Sequence, residues 1–147
     1  MLKFVLCFAV SAISLSHVRA KISGETERIL LKHLEGFVEV CRKELNLDVG
    51  PILWNEKHIT ADEMKAVDEC FAACILKKGG LMNAEGKIDY DKEVDAMKKV
   101  IKNEDDIKIL ETDSKACLSV NDEEVSDGDK GCERAHKFVN CMTMQKK

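Results

Sequence analysis

Cysteine is the residue type whose number and spacing could do most chemistry here: seven occur in 147 residues. Cysteines can hold a metal, act as nucleophiles or close disulfides. A zinc site asks for CxxC pairs, and none occurs. The stretch from Leu81 to Lys92 echoes a calcium loop around Gly86 and Ile88. Leu81 and Lys92, however, stand where the first and last carboxylates belong, so it reads as a helix–helix turn. The acidic residues Asp122, Glu123, Glu124, Asp127 and Asp129 read as a solvated loop. No metal site is expected. His136 follows Cys132 closely, but a secreted phospholipase needs a His–Asp pair beside adjacent cysteines and a glycine-rich calcium loop. Both are missing, and so are GxSxG and HExxH. No catalytic residue is assigned, the chain reads as a non-enzyme, and no cofactor is expected.

Disulfide chemistry remains, and it requires an oxidising compartment. Residues 1–20 supply the address. Lys3 precedes an uncharged apolar run, Phe4 to Leu15, and Val18 and Ala20 fit the small-residue rule for cleavage before Lys21. This reads as a secretory signal peptide, too short in its apolar part to remain as a membrane span. Residues 21–147 then form one domain, secreted and extracellular, with no stable membrane insertion expected. Cleavage removes Cys7, Lys3 and Arg19. It leaves six cysteines and 21 basic against 27 acidic residues, a charge of −6. With the two signs interleaved, nothing favours nucleic acid as a partner.

The elements that must position these cysteines read as helices. Residues 25–46 carry Leu30, Leu34, Phe37, Cys41 and Leu45 at three- and four-residue steps. Gly50 and Pro51 break the pattern, and one helical turn around Trp54 is conceivable. Thr60 and Glu63 form a capping box for a helix bearing Met64, Val67, Phe71, Cys74 and Ile75, which Gly79-Gly80 ends. A turn over Asn83–Asp89 lets Asp89 cap a helix with Val94, Met97 and Ile101 inward. Residues 104–120 form the next, with Ile107, Leu110, Ser114, Cys117 and Leu118 on one stripe. Asn121–Gly131 is a loop, and Cys132–Met144 is the last helix. No segment sustains period-two alternation, so the fold class is all-α.

Six cysteines allow 15 pairings. Cys70 and Cys74 lie one turn apart on one helix, where a direct bond is strained. Cys132 and Cys141 are separated by about 13 Å of helical rise. Excluding both pairs leaves ten pairings, and in each the two-cysteine helices are stapled to other elements.

The spacing Cys41-x28-Cys70-x3-Cys74-x42-Cys117-x14-Cys132-x8-Cys141 resembles that of the six-cysteine insect odorant-binding proteins, the pheromone-binding and general odorant-binding family. The CxxxC and the final Cx8C are its most specific parts. The resemblance implies a six-helix array around an internal apolar cavity. It also implies bridges Cys41–Cys74, Cys70–Cys132 and Cys117–Cys141. It further implies an extracellular carrier that binds odorants or pheromones and delivers them towards membrane receptors, with an olfactory receptor as partner. A monomer or weak homodimer is expected. Some members have a long C-terminal segment that enters the cavity at low pH; here six residues follow Cys141, enough for a partial lid from Met142 and Met144.

An apolar pocket needs adaptable side chains and one or two polar anchors. The candidate ligand-binding residues are Leu34, Phe37, Trp54, Phe71, Leu76, Met97, Ile101, Phe138 and Met142. Each would serve equally as ordinary core. His33, His58 and His136 could couple release to acidification or stand as solvated surface groups. The alternative function is a secreted helical disulfide protein that binds a protein partner or a lipid surface. It would show an exposed apolar patch, where a carrier hides its apolar area inside.

Overall fold

The computed structural model describes residues 21–47 and 69–145. The signal peptide, the turn around Trp54, His58, and the Thr60–Glu63 capping box all lie outside the described residues. Among those described are five α-helices and no strand: α1 Gly24–Glu44, α2 Glu69–Lys78, α3 Tyr90–Val100, α4 Glu104–Cys117 and α5 Cys132–Gln145. The class is all-α, with five helices in view rather than the six implied by the resemblance. None of them is long and apolar enough to cross a membrane.

The helix ends follow their capping residues. Ser23 accepts from the Thr26 amide at the start of α1. Asp89 accepts from Lys92 N before α3, and Asn103 from Asp105 N and Asp106 N before α4. Asp127 reaches across a loop to cap α5, its Oδ2 accepting from Cys132 N at 2.7 Å and Glu133 N at 3.2 Å. Acidic residues in the first turn of α4 and basic residues in the last turns of α1, α2 and α3 suit the helix dipole.

Two details differ from the sequence reading. The helix expected over 104–120 ends at Cys117 and tightens into a 3-10 turn, Leu118–Asn121. The loop after it contains a second 3-10 turn, Gly128–Lys130. A disulfide at Cys117 and a side-chain bond at Asn121 explain the tightening: Asn121 accepts from Ile88 N and donates to Ile88 O. The turn over 83–89 closes on a single antiparallel bridge between Met82 and Ile88, with Asn83 Oδ1 accepting from Glu85 N and Lys87 N.

Three bridges staple the array: Cys41–Cys74, Cys70–Cys132 and Cys117–Cys141. They join α1 to α2, α2 to the start of α5, and the end of α4 to α5. This is the pairing implied by the resemblance. Helix α3 carries no cysteine; packing, the Glu93–Ser114 hydrogen bond and the Lys98–Glu111 ion pair tie it to α4.

The loops meet at a buried arginine. Arg134 is 6% exposed and donates to the carbonyls of Val120, Gly86 and Glu123 at 3.0, 3.0 and 3.1 Å. Gly86 and Gly131 lie back to back there, both at positive φ. A Cβ on Gly131 would sit 2.7 Å from Met82 Sδ and 2.9 Å from Gly86 Cα. Sulfur can move, but the facing backbone cannot. Gly131→Ala is therefore expected to destabilise by about 2–3 kcal/mol through left-handed strain and overpacking, read as a lowered urea midpoint at unchanged slope.

Candidate functional site

The buried apolar side chains fall into three groups. The first joins α2, the 82–88 turn, the 118–121 turn and α5 through Ala72, Ala73, Leu76, Met82, Ile88, Cys117, Val120, Cys132, Ala135 and Phe138. The second is Val38, Cys41 and Phe71 between α1 and α2. The third is Met97, Ile101, Ile107 and Leu110 between α3 and α4, with Ile22 and Leu30 packed on it.

The candidate ligand residues divide among these groups. Leu76 and Phe138 are buried in the first, with Met142 half-buried against it. Phe71 lies in the second at 2% exposure. Met97 and Ile101 lie in the third. Leu34 and Phe37 are half-buried on α1, and the His33 ring meets Phe37 edge-on at 5.8 Å between centroids. Trp54 lies outside the described residues. The structure thus divides the described candidates among three groups and α1.

A cleft of about 250 Å³ opens between α1, the end of α2 and α3. His33, Gly79, Gly80, Lys92, Asp95, Ala96, Lys99 and Val100 line it. None of the described candidate ligand-binding residues is among them, and its rim is charged, which suits solvent better than an apolar guest.

The polar groups inside the array were not singled out by sequence reasoning. Glu93 on α3 is 7% exposed and accepts a hydrogen bond from Ser114 Oγ on α4, itself fully buried. Burial pushes the Glu93 carboxyl above the usual glutamate range, partly offset by the Ser114 bond. Glu93 stands one turn before Met97 on the inward stripe of α3, so its position was legible; its charged type disguised it. Ser114 was already on the inward stripe of α4.

Asp106 is the other buried carboxylate, 4% exposed. It accepts from Ser23 Oγ at 2.6 Å, Thr26 Oγ1 at 2.6 Å and Ser23 N at 3.2 Å, tying the start of α1 to the first turn of α4. The Ser23 and Thr26 hydroxyls hold its pKa below 3.8 against desolvation. A carboxylate with a depressed folded pKa stabilises above its unfolded pKa, and loses that contribution as pH falls through the folded value. Asp106→Asn is expected to be less stable than the parent at pH 7. The gap should close on acidification below pH 3.8, as read by urea unfolding at each pH.

Exposed large apolar side chains among the described residues are Leu31, Val40, Leu45 and Met144. Leu31 and Val40 lie on opposite sides of α1, since nine residues turn a helix by roughly 900°, or half a turn beyond two. They do not form one patch of the kind a surface-acting protein needs. Metal-ligating clusters of three or more His, Cys, Asp or Glu are absent among the described residues.

A model of the PBP/GOBP family matches residues 23–145. Neither curated proteins nor solved structures give a match.

Proposed function

The chain belongs to the PBP/GOBP family, and on that premise we propose that it is a secreted carrier of odorants or pheromones. The family is one of binding proteins that carry small hydrophobic ligands. In this reading the ligand occupies an internal cavity. Leu34, Phe37, Trp54, Phe71, Leu76, Met97, Ile101, Phe138 and Met142 supply its walls, and delivery is towards a membrane receptor. The signal peptide over residues 1–20 provides export, and residues 21–147 are the working domain.

The observation that carries the reading is the family match over 23–145 together with the three interlocked bridges. Bridges support a carrier physically. Each restricts the unfolded chain and contributes typically about 2–4 kcal/mol. A domain so restrained tolerates an unfilled apolar volume that otherwise destabilises it. The separation of the buried side chains into three groups is compatible with a guest seated between them.

The test is displacement of an environment-sensitive apolar dye from the oxidised protein by alcohols, esters, terpenes and fatty acids. Displacement at micromolar ligand, lost on reducing the disulfides, is the expected result. A folded, oxidised protein that takes up no dye would overturn the carrier reading in favour of a protein- or lipid-surface binder.

A further inference from the structure

Helix α1 is fastened at its two ends by different means. Its C-terminal part is held covalently: Cys41 is bridged to Cys74 on α2, and Val38 and Cys41 pack with Phe71. Its N-terminal part carries no cysteine. Ile22 and Leu30 pack there on the third apolar group, Met97, Ile101, Ile107 and Leu110. One polar cluster ties the start of the helix down. Asp106, in the first turn of α4, accepts from the hydroxyls of Ser23 and Thr26 and from Ser23 N. Hydrogen bonds to a buried carboxylate are strong, because they replace the water the charge has lost.

Between the two fastenings α1 is weakly held. Leu31, Lys32, His33, Glu35 and Gly36 are exposed. The cleft of about 250 Å³ lies here, with His33 on one wall and Ala96, Lys99 and Val100 of α3 on another. Space, and not packing, separates this stretch from α3. A Cβ on Gly36 would meet nothing within 4 Å. Packing therefore does not call for glycine at this position, yet glycine weakens a helix interior relative to alanine. The helix is easiest to break between the carboxylate clasp and the disulfide.

Resting on the carrier reading, we propose that residues 24–35 form a lid over the third apolar group, latched by Asp106 and released about Gly36, and that its opening admits the guest to Met97 and Ile101. Leu30 and Ile22 leave with the lid, so the side chains they cover are reached once the latch breaks. The Cys41–Cys74 bridge keeps the rest of α1 in place. Ser23 Oγ also accepts from Thr26 N, so the latch and the first helical turn share one side chain.

Stopped-flow binding of an environment-sensitive apolar dye to the oxidised protein tests the lid on the parent, Thr26→Val and Gly36→Ala. Thr26→Val keeps the side-chain shape and the Ser23 cap but removes one donor to Asp106. It is expected to raise the association and dissociation rate constants together by about tenfold, the effect of one hydrogen bond to a charged group. Affinity should stay nearly unchanged, since entry and exit pass through the same open state. Gly36→Ala strengthens the helix at the release point without a clash and should lower both rate constants by about fivefold. Amide hydrogen exchange gives a second readout: in Thr26→Val residues 27–35 should exchange faster, while residues 38–44, on the bridged side, match the parent. A merely structural Thr26 would speed exchange throughout α1 and leave the rate constants in place. Should Thr26→Val fail to fold by circular dichroism, Gly36→Ala is read instead. Unchanged rate constants in a folded variant that binds the dye overturn the lid and leave the carrier standing. A folded parent that takes up no dye overturns both.

Discussion

Replacing Cys70 and Cys132 together by alanine is expected to lower stability more than removing either of the other bridges. The bond closes a loop of 62 residues, against 33 for Cys41–Cys74 and 24 for Cys117–Cys141. On the chain-entropy relation the longest loop corresponds to about 4.3 kcal/mol and the shortest to about 3.4 kcal/mol. The other two bridges barely shorten the route between Cys70 and Cys132, so the long-loop figure stands in their presence. For a domain of this size the loss translates into a melting point lower by on the order of 10–15 °C. The bridge also sets where α5 begins against α2, and α5 carries Phe138 and Met142. Ligand affinity should fall with stability. Calorimetry on the three double-alanine variants, all other bridges verified as oxidised, checks the ranking. An equal loss from all three would mean that native-state strain, and not loop length, sets their contributions.

Phe138→Ala is expected to cost about 3–5 kcal/mol, the usual range for emptying a buried aromatic position. Phe138 is 4% exposed and shares its group with Leu76, Ile88 and Ala135, so its loss leaves a void bounded by several elements. Met142 lies one turn later, half-buried against the same group. Met142→Ala removes less buried area and should cost about 1 kcal/mol, yet it should weaken ligand binding as much as Phe138→Ala does. Chemical denaturation and dye displacement on the same two variants separate a side chain that supports the array from one that borders the guest. If Met142→Ala leaves affinity untouched, Met142 is packing alone and the cavity wall lies elsewhere.

Helix existence was legible because each segment repeats apolar residues at three- and four-residue steps. Asp89 and the Gly79-Gly80 stop did what their types dictate. The boundary at Cys117 was not legible, since nothing local distinguishes Leu118–Asn121 from a further helical turn. There the pairing of Asn121 with the Ile88 backbone, 33 residues away, decides the matter.

The cysteine count, the spacing and two excluded pairs narrowed the bridges to ten arrangements; the resemblance chose one, and the folded chain holds that one. The candidate ligand residues were legible only as apolar positions, because a pocket wall and a core position share composition and periodicity. Which apolar group each of them joins depends on contacts between helices, and no local pattern records those. The same holds for the buried polar groups. Glu93, Asp106 and Arg134 look like surface charges in sequence, where charge predicts exposure. Only tertiary structure brings Ser114 to Glu93, Ser23 and Thr26 to Asp106, and three backbone carbonyls to Arg134. The sequence by itself determined the helices, their inward stripes and the demand for cross-links. The tertiary structure decided which charges go inside, because burying a charge is tolerable only where distant residues converge to satisfy it.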